Sequence, residues 1–134
     1  GVGAILDAVI ANNFVLHNTQ WVPAHFHTYN LLGNVFFSLA FASWFADEIG
    51  NKKIAPTMVK IIFSLLVIGG VGFVLAFYLG GAFSVPRRVD MYNEVVSEGV
   101  SLAQMAVVFA TLYLVGMVIY TFDFTKRCAG QLFS

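Results

Sequence analysis

The sequence predicts an all-α membrane protein with three full transmembrane helices and the end of a fourth. Two observations predict it. Of the 134 residues, 59% are hydrophobic and only 10% are charged, far from the balance of a soluble domain, and the mean hydropathy is +0.82. The charges also lie in short clusters, and the gaps between clusters match the roughly 20 residues a helix needs to cross a bilayer. In lipid such a run must satisfy its backbone within itself, so it takes the form of a helix. The formal net charge of +0 gives no electrostatic footprint for nucleic acid. The single cysteine, Cys128, excludes an internal disulfide and a cysteine metal cluster. The chain opens inside apolar residues at Gly1-Val2-Gly3, without an initiating Met or a signal-peptide pattern, and reads as a piece of something longer.

The elements follow in order. Residues 1–12 (GVGAILDAVIAN) form a helix end, too short to span lipid, closed by Asn12-Asn13. Asp7 is the one charge there. A carboxylate in a membrane helix is costly and often functional, or it faces a neighbouring helix or water. Residues 22–46 run for 25 residues without Asp, Glu, Lys or Arg and make the first full span. It starts near Asn18 to Gln20, where Asn or Thr can cap, with Pro23 in or just after the first turn, where its missing N–H does little harm. A polar loop from Asp47 to Lys53 precedes the second span, 57–79, in which Lys60 can snorkel. A Gly/Pro-containing loop, 80–90, is followed by a lead-in, 91–97, to the third span, 98–122, and a tail from Asp123 to Ser134. Asn30, Asn34 and Ser38 lie at helical spacing below His27 and either form part of a polar proton route or join helices through hydrogen bonds; Ser101 and Gln104 are spaced to join helices in the same way. Trp21, Tyr29, Trp44 and Tyr92 suit an interfacial belt or packing on a cofactor.

Lys and Arg set the orientation. The first loop and the tail share a side holding Lys52, Lys53, Lys60, Lys126 and Arg127; the other side holds Arg87 and Arg88. The larger group belongs to the cytoplasm or its equivalent. His17, the start of the histidine helix and the Arg pair then lie at the outer face.

All three histidines fall between His17 and His27. On a helix, His25 and His27 point about 200° apart and cannot share one metal ion. If both bind metal they bind two centres, one on each flank. One imidazole per centre suits heme, which a single axial bond and an apolar macrocycle can hold. The alternative is that each hydrogen-bonds a neighbouring helix. Arg87-Arg88 follows Pro86 on the side disfavoured for positive charge. Heme propionates are carboxylates, which Arg forks bind bidentately; lipid phosphates, or Asp90 and Glu94, are the other partners open to the pair.

Leu16-His17-Asn18-Thr19, Val22 and Ala24-His25-Phe26-His27, followed downstream by Val85-Pro86-Arg87-Arg88, resemble subunit I of the heme-copper terminal oxidases in a divergent prokaryotic or archaeal form. The likeness covers essentially the whole chain. It corresponds to the end of helix nine and helices ten to twelve of a twelve-helix bundle. The resemblance implies that His25 is the axial ligand of the high-spin heme facing copper, that His27 is an axial ligand of the low-spin heme, and that Arg87 and Arg88 contact propionates. Many members carry His-Asp at the place of His17 and Asn18 and bind magnesium there. Asn18 is a poorer ligand than a carboxylate, which weakens the case for magnesium.

The implied function is that of the catalytic subunit of a respiratory terminal oxidase. It reduces O2 to water, passes electrons from the low-spin heme to a high-spin heme-copper centre and translocates protons. The electron donor is cytochrome c, another small redox protein or quinol. The implied partners are the rest of subunit I, a subunit II-like protein and membrane lipid, in a prokaryotic plasma membrane. Copper and the second low-spin heme ligand are held by residues outside this sequence. Phe26 between the histidines favours oxidases over nitric oxide reductases of the same superfamily. A membrane cytochrome that only passes electrons, and a heme-free helix bundle, are the readings of a different class.

Overall fold

The computed structural model describes residues 2–50, 53–88 and 97–132. Tyr92, Asp90, Glu94, Lys52 and the lead-in at 91–96 lie outside them. The chain is helical, with elements α1 (Val2–Ala8), α2 (Ile10–Leu16), α3 (Trp21–His27), a π-helical stretch (Thr28–Asn34), α4 (Val35–Gly50), α5 (Pro56–Ala82) and α6 (Ser97–Leu132). Two helices, Pro56–Ala82 and Gly99–Ala129, are long and apolar enough to cross a membrane. With α3, the π stretch and α4 run end to end as a third rod, about 45 Å long at 1.5 Å per residue, against a hydrocarbon thickness of about 30 Å.

The N-terminal helix breaks at a different place from the one expected. Asn12 and Asn13 lie inside α2, and the chain bends at Val9, which is extended (φ −74°, ψ 116°). The bend deprives the Leu6 carbonyl of its helical partner, and Asn12 Nδ2 donates to it at 3.2 Å. The amide mends a break instead of making one.

The histidine rod begins at Trp21, where the backbone N–H donates to Thr19 Oγ1 at 3.2 Å. Pro23 falls in the first turn, where helical N–H groups have no internal partner. Immediately after His27 the rod widens into the π stretch. Such stretches misalign the hydrogen-bond ladder and often mark functional sites. Here the Leu31 carbonyl accepts from Tyr113 Oη at 3.0 Å, and one turn into α4 the Leu39 carbonyl accepts from Tyr120 Oη at 3.0 Å. Among the described residues, Asn30 and Asn34 make no hydrogen bond between helices. Asn30 Nδ2 donates to the Phe26 carbonyl and Asn34 Nδ2 to Asn30 Oδ1, all along one helix.

The helices also run further than the apolar runs suggest. The rod continues through Asp47 and Glu48 to Gly50, and α6 carries Asp123, Lys126 and Arg127 within it. The charges are absorbed at distance. Arg127, only 6% exposed, meets Asp47 Oδ1 at 2.6 Å and Asp123 Oδ2 at 2.8 Å. Its Nη1 also donates to the Ser43 carbonyl at 3.4 Å. Lys126 Nζ sits 4.4 Å from the centre of the Phe122 ring. Pro56 opens α5 at its first position, where its missing N–H is harmless.

The core lies between the rods. Ile62 and Leu66 of α5 pack with Tyr113 and Tyr120 of α6, and Leu31, Val35 and Leu39 of the rod close over them. α5 and α6 touch through a glycine face. A Cβ on Gly69 would stand 2.6 Å from the Tyr113 backbone nitrogen and 2.8 Å from the Phe109 carbonyl oxygen. Both are main-chain atoms and cannot step aside. Gly69→Ala is therefore expected to destabilise by about 1–3 kcal/mol through overpacking, read as a lower melting temperature of the solubilised protein. An unchanged transition would contradict this packing.

Candidate functional site

The loop after α5 is stitched to the turn that starts the histidine rod. Thr19 and Pro86 form an antiparallel bridge. Gln20 N–H donates to the Val85 carbonyl at 3.0 Å, and Arg87 N–H donates to the Asn18 carbonyl at 3.0 Å. Next to this bridge Trp21 rests on Gly81, where an added Cβ would collide with the Trp21 backbone nitrogen and come within 2.6 Å of the Trp21 Cβ. The loop reaches this position through two left-handed residues, Ser84 (φ 58°) and Arg88 (φ 61°). For a long side chain such as arginine this is an uncommon backbone.

The bridge sets Arg87 and Arg88 on a recess of about 450 Å³ whose other walls are Gln20, Val22, Pro23, Phe26 and Phe77. Neither guanidinium meets a carboxylate among the described residues. A paired cationic wall beside aromatic and aliphatic side chains suits a molecule with an apolar body and carboxylate arms.

His25 and His27 face different parts of the protein. His25 Nδ1 lies 3.2 Å from Asp7 Oδ2 on α1, and its ring meets Tyr29 edge-on at 4.8 Å. His27 turns to α5, edge-on to Phe73 at 5.2 Å and tilted against Phe77 at 6.0 Å. Its ring has no hydrogen-bond or ion-pair partner among the described residues. It opens on an apolar cleft of about 510 Å³ lined with Leu31, Phe73, Ala110, Tyr113, Leu114 and Met117. Phe77 of the arginine recess and Phe73 of this cleft are neighbours, with ring centres 4.8 Å apart. Each imidazole can thus give one ring nitrogen to a separate centre. Among the described residues no group of three His, Cys, Asp or Glu could hold an ion by itself. The donor set and the apolar wall fit a flat metallated macrocycle at His27.

A family model described as cytochrome c and quinol oxidase polypeptide I matches residues 1–124. The chain belongs to this family. Cytochrome c oxidase subunit 1 of Bacillus subtilis is 30% identical over 122 residues, which cover 89% of this chain and 19% of that protein. Cytochrome c oxidase subunit 1 of Thermus thermophilus is 28% identical, covering 84% of this chain and 20% of that protein. The probable quinol oxidase subunit 1 of Staphylococcus epidermidis is 30% identical over 131 residues, or 90% of this chain and 19% of that protein. The oxidase polypeptide I chain spans about one fifth of the length of these relatives. No solved structure matches it.

In this oxidase polypeptide I chain, His25, His27, Arg87 and Arg88 gather around α3. His17 and Asn18 sit to one side. His17 Nδ1 is 3.2 Å from Asn13 Oδ1, and both residues line a separate recess of about 390 Å³ with Ala8, Ile10, Asn13 and Phe14. Among the described residues that recess is lined by no carboxylate, which is a thin set for a hard cation such as magnesium. Three features have no plain sign in the sequence. Trp21 Nε1 donates to Asp7 Oδ1 at 2.7 Å. Phe73 and Phe77 reach His27 from α5. The Thr19–Pro86 bridge joins distant segments. The isolated charge of Asp7 was the only hint to any of these.

Proposed function

We propose that this chain is the part of a terminal oxidase's catalytic subunit that gives one axial imidazole to each of two hemes. In this reading His25 serves the high-spin heme facing copper and His27 serves the low-spin heme. The observation that carries it is the divergence of two rings only two residues apart, one towards Asp7 on α1 and the other towards Phe73 and Phe77 on α5.

Bound heme supplies the iron that accepts electrons from a donor and delivers them to oxygen. The chain's own residues hold and insulate. His27 presents its ring from an apolar wall that excludes water. Arg87 and Arg88 offer forked donors to propionates. Phe26, 60% exposed between the two histidines, lies edge-on to His27 and lines the arginine recess. Copper and the second low-spin ligand come from other parts of subunit I. A cytochrome c, another small redox protein or a quinol supplies electrons. O2 is reduced to water with proton translocation in a prokaryotic plasma membrane, alongside a subunit II-like partner.

The test is a reduced-minus-oxidised spectrum of the assembled enzyme with and without carbon monoxide. One CO-reactive and one CO-silent heme are expected. Only CO-silent heme would mean an electron carrier, and no heme a scaffold. Either result refutes the proposal, as would turnover of nitric oxide without turnover of O2.

A further inference from the structure

Asp7 is the charge that the functional reading leaves unused. It sits on α1, the helix that ends at the bend before α2, in a stretch otherwise uncharged up to His17. Its side chain is 28% exposed. A carboxylate in that setting is costly unless it is engaged, and both of its oxygens are. Oδ1 accepts from Trp21 Nε1 at 2.7 Å. Oδ2 faces His25 Nδ1 at 3.2 Å. Trp21 is itself fixed, edge-on to Tyr78 at 4.6 Å and seated on Gly81. The carboxylate is therefore held by Trp21 on one side and lies within 3.2 Å of the imidazole on the other.

Resting on the assignment of His25 to the high-spin heme, we propose that Asp7 is the positioning residue of that ligand: it accepts a hydrogen bond from His25 Nδ1–H, with Trp21 holding it in place. A carboxylate can only accept, so it selects the tautomer that carries hydrogen on Nδ1. That leaves Nε2 as the atom that binds iron. A carboxylate partner fixes the ring's orientation and makes the imidazole a stronger donor. A stronger donor favours the oxidised metal, one of the levers by which a protein tunes heme. The His27 ring has no hydrogen-bond or ion-pair partner among the described residues, only aromatic and aliphatic neighbours. The two ligands of one rod thus differ in donor strength, and this difference offsets the two hemes from one another.

The test uses the assembled, heme-loaded enzyme. In Asp7→Asn, the iron–histidine stretching band of the reduced CO-reactive heme, read by resonance Raman, is expected to fall in frequency. Its reduction equilibrium is expected to move at least tenfold towards the reduced form, about 59 mV for one electron. The CO-silent heme keeps its potential. Trp21→Phe keeps the carboxylate but removes its clamp, and gives a smaller shift of the same sign; it serves also if Asp7→Asn fails to assemble. Asp7→Glu restores most of the band position. A retained CO-reactive heme with an unmoved band and potential overturns the role of Asp7 and leaves His25 as ligand. Wild-type enzyme without any CO-reactive heme overturns both.

Discussion

Replacing His27 with alanine is expected to remove the CO-silent heme from the assembled enzyme and leave the CO-reactive one bound; replacing His25 with alanine is expected to do the reverse. The crossed pattern follows from geometry. A helix places residues two apart on nearly opposite flanks, and the two rings meet different elements, α1 for His25 and α5 for His27. Neither substitution opens the other flank. Even the loss of an outer-shell partner of a metal ligand lowers affinity or activity by about 10- to 100-fold. Loss of the ligand itself is therefore expected to reduce oxygen turnover by more than about 100-fold. Optical spectra of both variants, normalised to assembled protein, decide the matter. If either variant lost both hemes in equal measure, or neither, the division between the flanks would be wrong.

The second large effect is structural and lies at the other end of the rod. Arg127→Met is expected to destabilise the assembled protein by about 3 kcal/mol, the lower end for breaking a buried ion pair. Arg127 is 6% exposed, while its carboxylate partners Asp47 and Asp123 are 29% and 23% exposed. Water reaches those carboxylates in part, which holds the loss down. Arg127 also ties the end of α4 to α6, since the Arg127 main-chain oxygen lies where a Cβ on Gly50 would come within 3.0 Å. In the double variant Asp47→Asn with Arg127→Met, the combined loss should fall short of the sum, as it does for coupled neighbours. Thermal unfolding of the four proteins in one detergent measures both quantities. A change below about 0.5 kcal/mol for Arg127→Met, the level of an ordinary surface site, would show that the cluster is ornamental to stability.

Much of the architecture was open to inspection in the sequence because lipid imposes a coarse rule. A run without charge long enough to cross the bilayer has one available form, and the uncharged run after Gln20 obeys it. The histidine spacing was legible for a similar reason, since helical geometry alone separates His25 from His27. The misses have a common cause: each depends on a partner far away in the chain. Asp47 and Arg127 lie 80 residues apart, so neither polar segment reveals that pairing lets the helix continue. The π stretch has no local signature; it is accompanied by Tyr113, which donates to Leu31 from 82 residues away. The Asn12-Asn13 pair misleads for the opposite reason. Asparagine is a common helix ender, but here Asn12 reaches back across a bend at Val9 that the β-branched residue there does not advertise.

The short antiparallel bridge between Thr19 and Pro86 acts as a yoke. It harnesses the cationic pair to the same rigid body that bears the imidazoles, so a tilt of the rod within the bilayer carries all of them together. Whatever the arginines grip at its rim and the histidines grip at its centre is held in one frame of reference. Under the proposed heme assignment, the edge-to-edge gap between the two cofactors would thereby be kept from drifting as the membrane flexes.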